Sequence, residues 1–112
     1  MTGIEINNRI WIEKDGFAFL GLGRVNLLES IAEKGSINKA AKSMGMSYKR
    51  AWQLVNAMNT MSDEPLVERL TGGSGGGGTH LTSRGEQIIS EYHRIDDLCK
   101  SLLKDELKKC CF

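Results

Sequence analysis

Apolar and polar residues alternate at the start of the chain. Ile4, Ile6, Ile10 and Ile12 share one parity, broken by Asn8, while Glu5, Asn7, Arg9 and Glu13 share the other, with Trp11 among them. A period of two places the isoleucines on one face of a strand. Asp15-Gly16 follows, and then Phe17-Ala18-Phe19-Leu20. An Asp-Gly pair between two such runs predicts a β-hairpin over residues 1–20, because glycine accepts the positive φ of a tight turn.

The period then changes to steps of three and four. Val25, Leu27, Leu28, Ile31 and Ala32 predict a helix over about 22–34, closed by Gly35. Ser36 caps a short helix over about 37–44 that carries Ile37, Ala40, Ala41 and Met44, and Gly45 closes it. Ser47 caps a third helix, about 48–61, with Ala51, Val55 and Met58 on one face and Leu54 beside them. Pro65 stops the helical region. Pro65-Leu66-Val67-Glu68-Arg69-Leu70 reads as a short strand, residues 71–80 as a glycine loop, and Thr82 as the cap of a long helix reaching about residue 108. No internal repeat is visible.

Two short helices joined by a glycine-containing turn, residues 35–55, form a helix-turn-helix pattern. Small Ala40 and Ala41 let the helices approach, and a strand, loop and strand after the third helix make it the winged variety. With 112 residues the chain has room for one domain, and its 40% apolar and 26% charged content is that of an ordinary globular protein. The net charge of +1 carries no message about partners, but its distribution does. No acid stands between Glu33 and Asp63, an interval that holds Lys34, Lys39, Lys42, Lys49 and Arg50. Phosphate attraction supplies most non-specific DNA affinity, so this basic interval marks the expected DNA face. Taken alone, such charges also read as an ordinary solvated surface; the helix-turn-helix spacing is what turns them toward DNA.

The third helix divides by face. Ala51, Val55 and Met58 turn to the core, which leaves Tyr48, Lys49, Arg50 and Gln53 for the major groove. Arg50 suits the two acceptors of guanine, and Gln53 the donor and acceptor of adenine. Tyr48 suits a phosphate or a sugar. Trp52 reads two ways, as packing against the first helix or the wing, which is favoured, and as a base contact. Ser36, Asn38 and Lys39 at the second helix and Ser47 at the third complete the expected contacts on the helices.

The glycine loop lacks the Gly-Lys-Ser/Thr end of a nucleotide-phosphate loop, which excludes nucleotide hydrolysis there. It resembles a flexible Gly/Ser linker and equally a wing tip that approaches phosphates, and its position favours the wing. On the wing reading, Arg69 and Arg84 flank the approach, with Gly75 and Gly76 at the tip. A small oxyanion bound at this loop is a further reading, supported only by those two arginines.

These stretches carry a family resemblance. Gly35-Ser36-Ile37, Ser47-Tyr48-Lys49, Ala51-Trp52, Met58-Asn59, Glu64-Pro65-Leu66-Val67-Glu68-Arg69, the run Thr71-Gly72-Gly73…Gly75-Gly76-Gly77-Gly78, and Leu81-Thr82…Gly85 resemble the DNA-binding domain of ModE-type molybdate-responsive regulators. The helix-turn-helix of that family is related to the LysR type. The resemblance covers about residues 24–92. It implies a native glycine wing, a homodimer and transcriptional control by operator binding. Molybdate-sensing members carry C-terminal oxyanion-binding domains, for which this sequence leaves no room, so molybdate sensing is not carried over. Ser74 stands where the wing often has a basic residue. The hairpin is longer than the family minimum, which suggests a part in dimerisation.

The long helix carries Ile88, Tyr92, Ile95, Cys99 and Leu102 at coiled-coil steps, with Ile89, Leu98, Leu103 and Leu107 widening the stripe. Its first turns are expected on its own domain and its far end on a second chain. Cys99, Cys110 and Cys111 are an odd set without metal-ligand spacing or a disulfide framework. His80 and His93 suggest no nucleophile–base pair. No apolar run spans a bilayer and no secretory signal opens the chain.

The expectation is therefore a mainly α domain with small β structure. It is a winged helix-turn-helix with a hairpin at 1–20, a three-helix core at 22–62, a wing at 65–81 and a dimerising helix at 82–108. It is a cytoplasmic regulator of transcription rather than an enzyme. No cofactor, metal or membrane is expected. Double-stranded DNA and a second copy are its partners, with a separate protein available to sense an effector. The competing reading is a winged-helix module that binds protein, with the hairpin and the long helix as its working faces.

Overall fold

A computed structural model describes residues 3–70 and 78–112. The elements run β1 (Trp11–Lys14), β2 (Phe17–Gly21), α1 (Leu22–Lys34), α2 (Ile37–Ser43), α3 (Tyr48–Met61), β3 (Val67–Arg69), β4 (Thr79–Leu81) and α4 (Ser83–Leu107). β1 pairs antiparallel with β2, and β3 with β4, in two separate two-stranded ladders.

The Asp15-Gly16 turn has φ of 53° and 83°, the doubly left-handed geometry that a two-residue hairpin needs. The ladder, however, is shorter than the alternation suggests. Trp11 already pairs with Gly21, and α1 begins at Leu22, so β2 has no residue left to pair with positions 4–10. That segment runs beside α4 instead: the Tyr92 hydroxyl donates to the Ile10 carbonyl at 3.1 Å, and Ile4 to Asn8 line a shallow groove with Lys100, Lys104 and Leu107. Ile10 and Ile12 pack against the core, whereas Ile4 and Ile6 stay exposed. A bulge between Ile12 and Glu13 further breaks the simple parity.

Each helix of the core starts and stops where local chemistry dictates. Gly35 takes φ 70° and its N–H reaches the Ile31 carbonyl at 2.8 Å, closing α1. The Ser36 hydroxyl accepts from the Lys39 N–H at 3.1 Å, and the Ser47 hydroxyl accepts from the Arg50 N–H at 3.0 Å. Gly45, at φ 68°, makes the turn between α2 and α3. The core is Val25, Leu27, Leu28 and Ile31 of α1, Ile37, Ala40 and Ala41 of α2, and Ala51, Val55 and Met58 of α3. Leu66, Val67, Ile88 and Tyr92 close it from the wing and α4.

The wing root is tied to this core at three points. The Asn59 side-chain oxygen accepts from the N–H groups of Leu66 (2.8 Å) and Val67 (3.2 Å), while its amide donates to the Val67 carbonyl (3.0 Å). The Thr79 N–H donates to the Gly35 carbonyl at 3.0 Å. At α4, Gly85 lies so close to Leu66 that a Cβ there would overlap the Leu66 carbonyl oxygen. Thr82 caps α4 through the Gly85 N–H at 3.0 Å.

Candidate nucleic-acid interface

The interface builds up from the two serine caps. Each serine satisfies an N–H of its own helix and so fixes where α2 and α3 begin. Neither helix has an acid in its first turn. The positive ends of both helix dipoles therefore stand uncompensated by side chains, as suits an anionic partner. Asn38 and Lys39 are exposed beside Ser36 on α2, and Tyr48, Lys49, Arg50 and Gln53 are exposed on the first turns of α3. Among the described residues no carboxylate lies within ion-pair distance of Lys39, Lys42, Lys49 or Arg50. Lys34 differs, sitting 3.8 Å from Glu33.

The wing root joins this surface. Arg69, at the end of β3, donates from its guanidinium to the Tyr48 hydroxyl at 3.1 Å. This leaves the hydroxyl proton of Tyr48 free to donate outward. Thr79 hangs from the Gly35 carbonyl, one residue before the α2 cap. Arg69 and Thr79 thus bring the wing root beside Ser36, and the two helix starts and the wing root form one continuous surface. Gly75 and Gly76, together with Ser74, lie outside the described residues.

Arg84 does not join it, which corrects the expectation that it flanks the wing tip. The ladder runs from Val67 opposite Leu81 to Arg69 opposite Thr79. The loop leaves from the Arg69 end, and α4 leaves from the other. Arg84 therefore sits at the far end of the hairpin, donates to the Gln87 side chain at 3.1 Å, and shares a depression with Asp63 and Glu64. A residue that follows a strand in sequence need not lie at the loop that precedes it.

Trp52 stands on the wing side of α3. It lines a small cleft with Ile37, Asn56, Val67, Arg69 and Thr79 and remains 44% exposed. The link from Tyr48 to Arg69 and the triple anchoring by Asn59 were not read from the sequence. Both join residues of different elements and leave no periodic trace.

Among the described residues no helix is long and apolar enough to cross a membrane, and no cluster of three metal-ligating side chains occurs.

Comparisons with known proteins agree with this architecture. Residues 22–86 match the family model for bacterial regulatory helix-turn-helix proteins of the lysR family. The chain is 56% identical over 69 residues to the transcriptional regulator ModE of Yersinia pestis, covering 62% of this chain and 26% of that protein. It is 42% identical over 96 residues to the molybdenum transport protein ModE of Azotobacter vinelandii, covering 86% of this chain and 36% of that protein. The chain thus spans about a quarter to a third of the length of these curated relatives. In fold it is similar to the solved complex of the CbnR DNA-binding domain with DNA, with a TM-score of 0.56 at 23% identity over 78% of this chain and 93% of that one. Because the helix-turn-helix match takes in more than half of its residues, the chain belongs to the lysR family of bacterial regulatory helix-turn-helix proteins.

Proposed function

We propose that the chain is a sequence-specific, double-stranded-DNA-binding regulator of transcription, working as a homodimer and not as an enzyme. One observation carries this reading above the others: a basic surface in which the first turns of α2 and α3, neither with an acid, adjoin the wing root through the Arg69–Tyr48 hydrogen bond. In this reading α3 enters the major groove with Lys49, Arg50 and Gln53 toward base edges. Ser36, Asn38, Lys39 and Ser47 hold phosphates beside the two helix starts, where N–H donors and dipoles favour anions. Arg69 and Tyr48 act together on the backbone next to the wing, and the loop glycines 75 and 76 follow the same strand. Residues 1–112 form a single domain, with 22–62 as the reading core, 65–81 as the wing and 82–108 as the helix that meets a second copy.

The test is fluorescence anisotropy with the protein's own upstream genomic fragment and a scrambled duplex at several salt concentrations. The expected result is preference for the native fragment and a fall of log K with log salt of about 0.9 per phosphate contact. Lys49→Ala with Arg50→Ala is expected to remove most of that preference. Unchanged affinity in this double variant would sink the reading.

A further inference from the structure

Two residues in the middle of α3 have no role in the surface described so far. Trp52 and Asn56 lie one turn apart on the same side of the helix and line one cleft with Arg69 and Thr79 of the wing root. The asparagines of α3 differ in how they are used. Asn59 is half-buried and spends its side-chain amide on the backbone of Leu66 and Val67. Asn56 is exposed. Its backbone carbonyl accepts from the Thr60 hydroxyl at 2.8 Å, but among the described residues its side-chain amide has no partner.

Helix geometry puts Asn56 on the reading face. At 3.6 residues per turn, Lys49, Gln53 and Asn56 fall within about 60° of one another, opposite the buried Ala51, Val55 and Met58. Asn56 lies roughly 10 Å beyond Lys49 along the axis, about three base-pair steps. Trp52 sits beside it toward the wing. Part of the indole covers the cleft of about 100 Å³, and 44% of the residue remains exposed. Apolar indole surface thus stands next to a free amide.

This pair of groups discriminates between bases. A carboxamide offers a donor and an acceptor, the complement of adenine N7 and N6, and an apolar side chain covers the thymine methyl group. A G·C pair presents neither combination. Guanine sets two acceptors, N7 and O6, against the one amide, and cytosine has no methyl group to cover.

We propose that Asn56 and Trp52 form a second reading unit on α3 that selects an A·T step beside the wing, with Asn56 pairing adenine N6 and N7 and Trp52 covering a thymine methyl. This rests on the DNA-binding reading above. It adds the base class read by the middle of the helix, beyond the first turns that hold Lys49, Arg50 and Gln53.

The experiment measures the affinity of the full chain for the upstream genomic fragment in three forms. One is unmodified, one carries uracil for thymine throughout, and one carries 7-deazaadenine for adenine throughout. Uracil lacks the 5-methyl group, and 7-deazaadenine lacks the N7 acceptor. The parent is compared with Asn56→Ala and Trp52→Gln, each checked by thermal melting. The 7-deazaadenine penalty is expected to shrink about fivefold in Asn56→Ala, with Gln53 accounting for any remainder. The uracil penalty is expected to shrink about fourfold in Trp52→Gln, the worth of one covered methyl group. Both variants should keep the parent's slope of log K against log salt, since neither side chain is charged. A 7-deazaadenine penalty that persists in folded Asn56→Ala overturns the unit, and so does a uracil penalty that persists in folded Trp52→Gln. A penalty that shrinks only together with the salt slope also overturns it, because the variant has then shifted the wing off the backbone. If Trp52→Gln does not fold, the exposed Asn56 decides the matter alone. All these outcomes leave the DNA-binding reading standing. A parent with no salt-dependent binding and no preference for the native fragment overturns that reading together with the unit.

Discussion

Gly85 shows how one atom can decide a fold. Its backbone meets Leu66, a fully buried residue at the wing root, and a methyl group would overlap the Leu66 carbonyl oxygen. Gly85→Ala must therefore push α4 away from the wing, against an interior that tolerates little overpacking. The expected outcome is a destabilisation of about 1–3 kcal/mol by urea unfolding, even though alanine favours helix more than glycine does. A stability gain would show that the approach relaxes freely. Tyr48 and Arg69 make a second case at this scale. Their 3.1 Å hydrogen bond joins the proposed groove-reading helix to the wing, so their effects on binding should not add. A double-mutant cycle of Tyr48→Phe and Arg69→Met, read by DNA affinity, is expected to give a coupling of about 0.5–1.5 kcal/mol. A coupling near zero would mean that the two contact DNA independently. The tyrosine was visible in the sequence as a free residue on α3 and the arginine as a loop neighbour. That one holds the other was not visible, since 21 positions separate them.

At the scale of elements, the wing is the informative case. Each of its strands has three residues, too short to be stable as an isolated hairpin. Asn59 supplies what the ladder lacks, satisfying two N–H groups and one carbonyl at the entry to β3. Asn59→Asp keeps an acceptor for Leu66 and Val67 but turns a carboxylate toward the Val67 carbonyl. The expected result is faster amide hydrogen exchange in 66–69 and 79–81, with a loss of about 1–3 kcal/mol in global stability. Exchange rates equal to the parent's would show that packing alone holds the wing. The helices, by contrast, were legible in advance, because serine caps, closing glycines and three-four periodicity are local signals. The hairpin was legible only at its turn. Its length depended on how few residues separate Gly16 from α1, and that limits the pairing partners available.

For the molecule as a whole, α4 governs shape. The described residues extend 62 × 29 × 22 Å with a radius of gyration of 17.2 Å, against roughly 13 Å for a compact chain of this length. The first part of the apolar stripe turns inward, with Ile88 and Tyr92 buried against the chain's own core. Farther along, Ile95, Leu98 and Leu102 are exposed, the two leucines at 60% each. The stripe thus divides where its first turns end, as expected of them, but Cys99, predicted within the stripe, is half-buried off the exposed strip. Exposed leucines four residues apart form an apolar strip suited to a second copy in a two-fold arrangement. Leu98→Glu with Leu102→Glu is expected to convert a homodimer to a monomer in sedimentation velocity while leaving the melting temperature of the domain nearly unchanged. A dimer that survives both charges would place the interface elsewhere, with the segment of residues 4–10 beside α4 as the next surface to test.

The sequence by itself determined the elements that rest on neighbours in the chain. These are the three core helices with their caps, the Asp-Gly turn, the buried faces of α1 to α3, and the acid-free basic interval that they carry. It also held the motifs of the glycine wing, through which the resemblance to ModE-type regulators could be drawn. What only the tertiary structure decided depends on distance through space. It separated Arg69 from Arg84, which the sequence had set on either side of one loop, because an antiparallel ladder sends its two ends in opposite directions. It turned residues 4–10 onto α4, fixed near Tyr92 the point at which the α4 stripe passes from interior to surface, and joined Tyr48 of α3 to Arg69 of the wing. Local periodicity records which side of an element is apolar. Which neighbour that side meets is settled by packing.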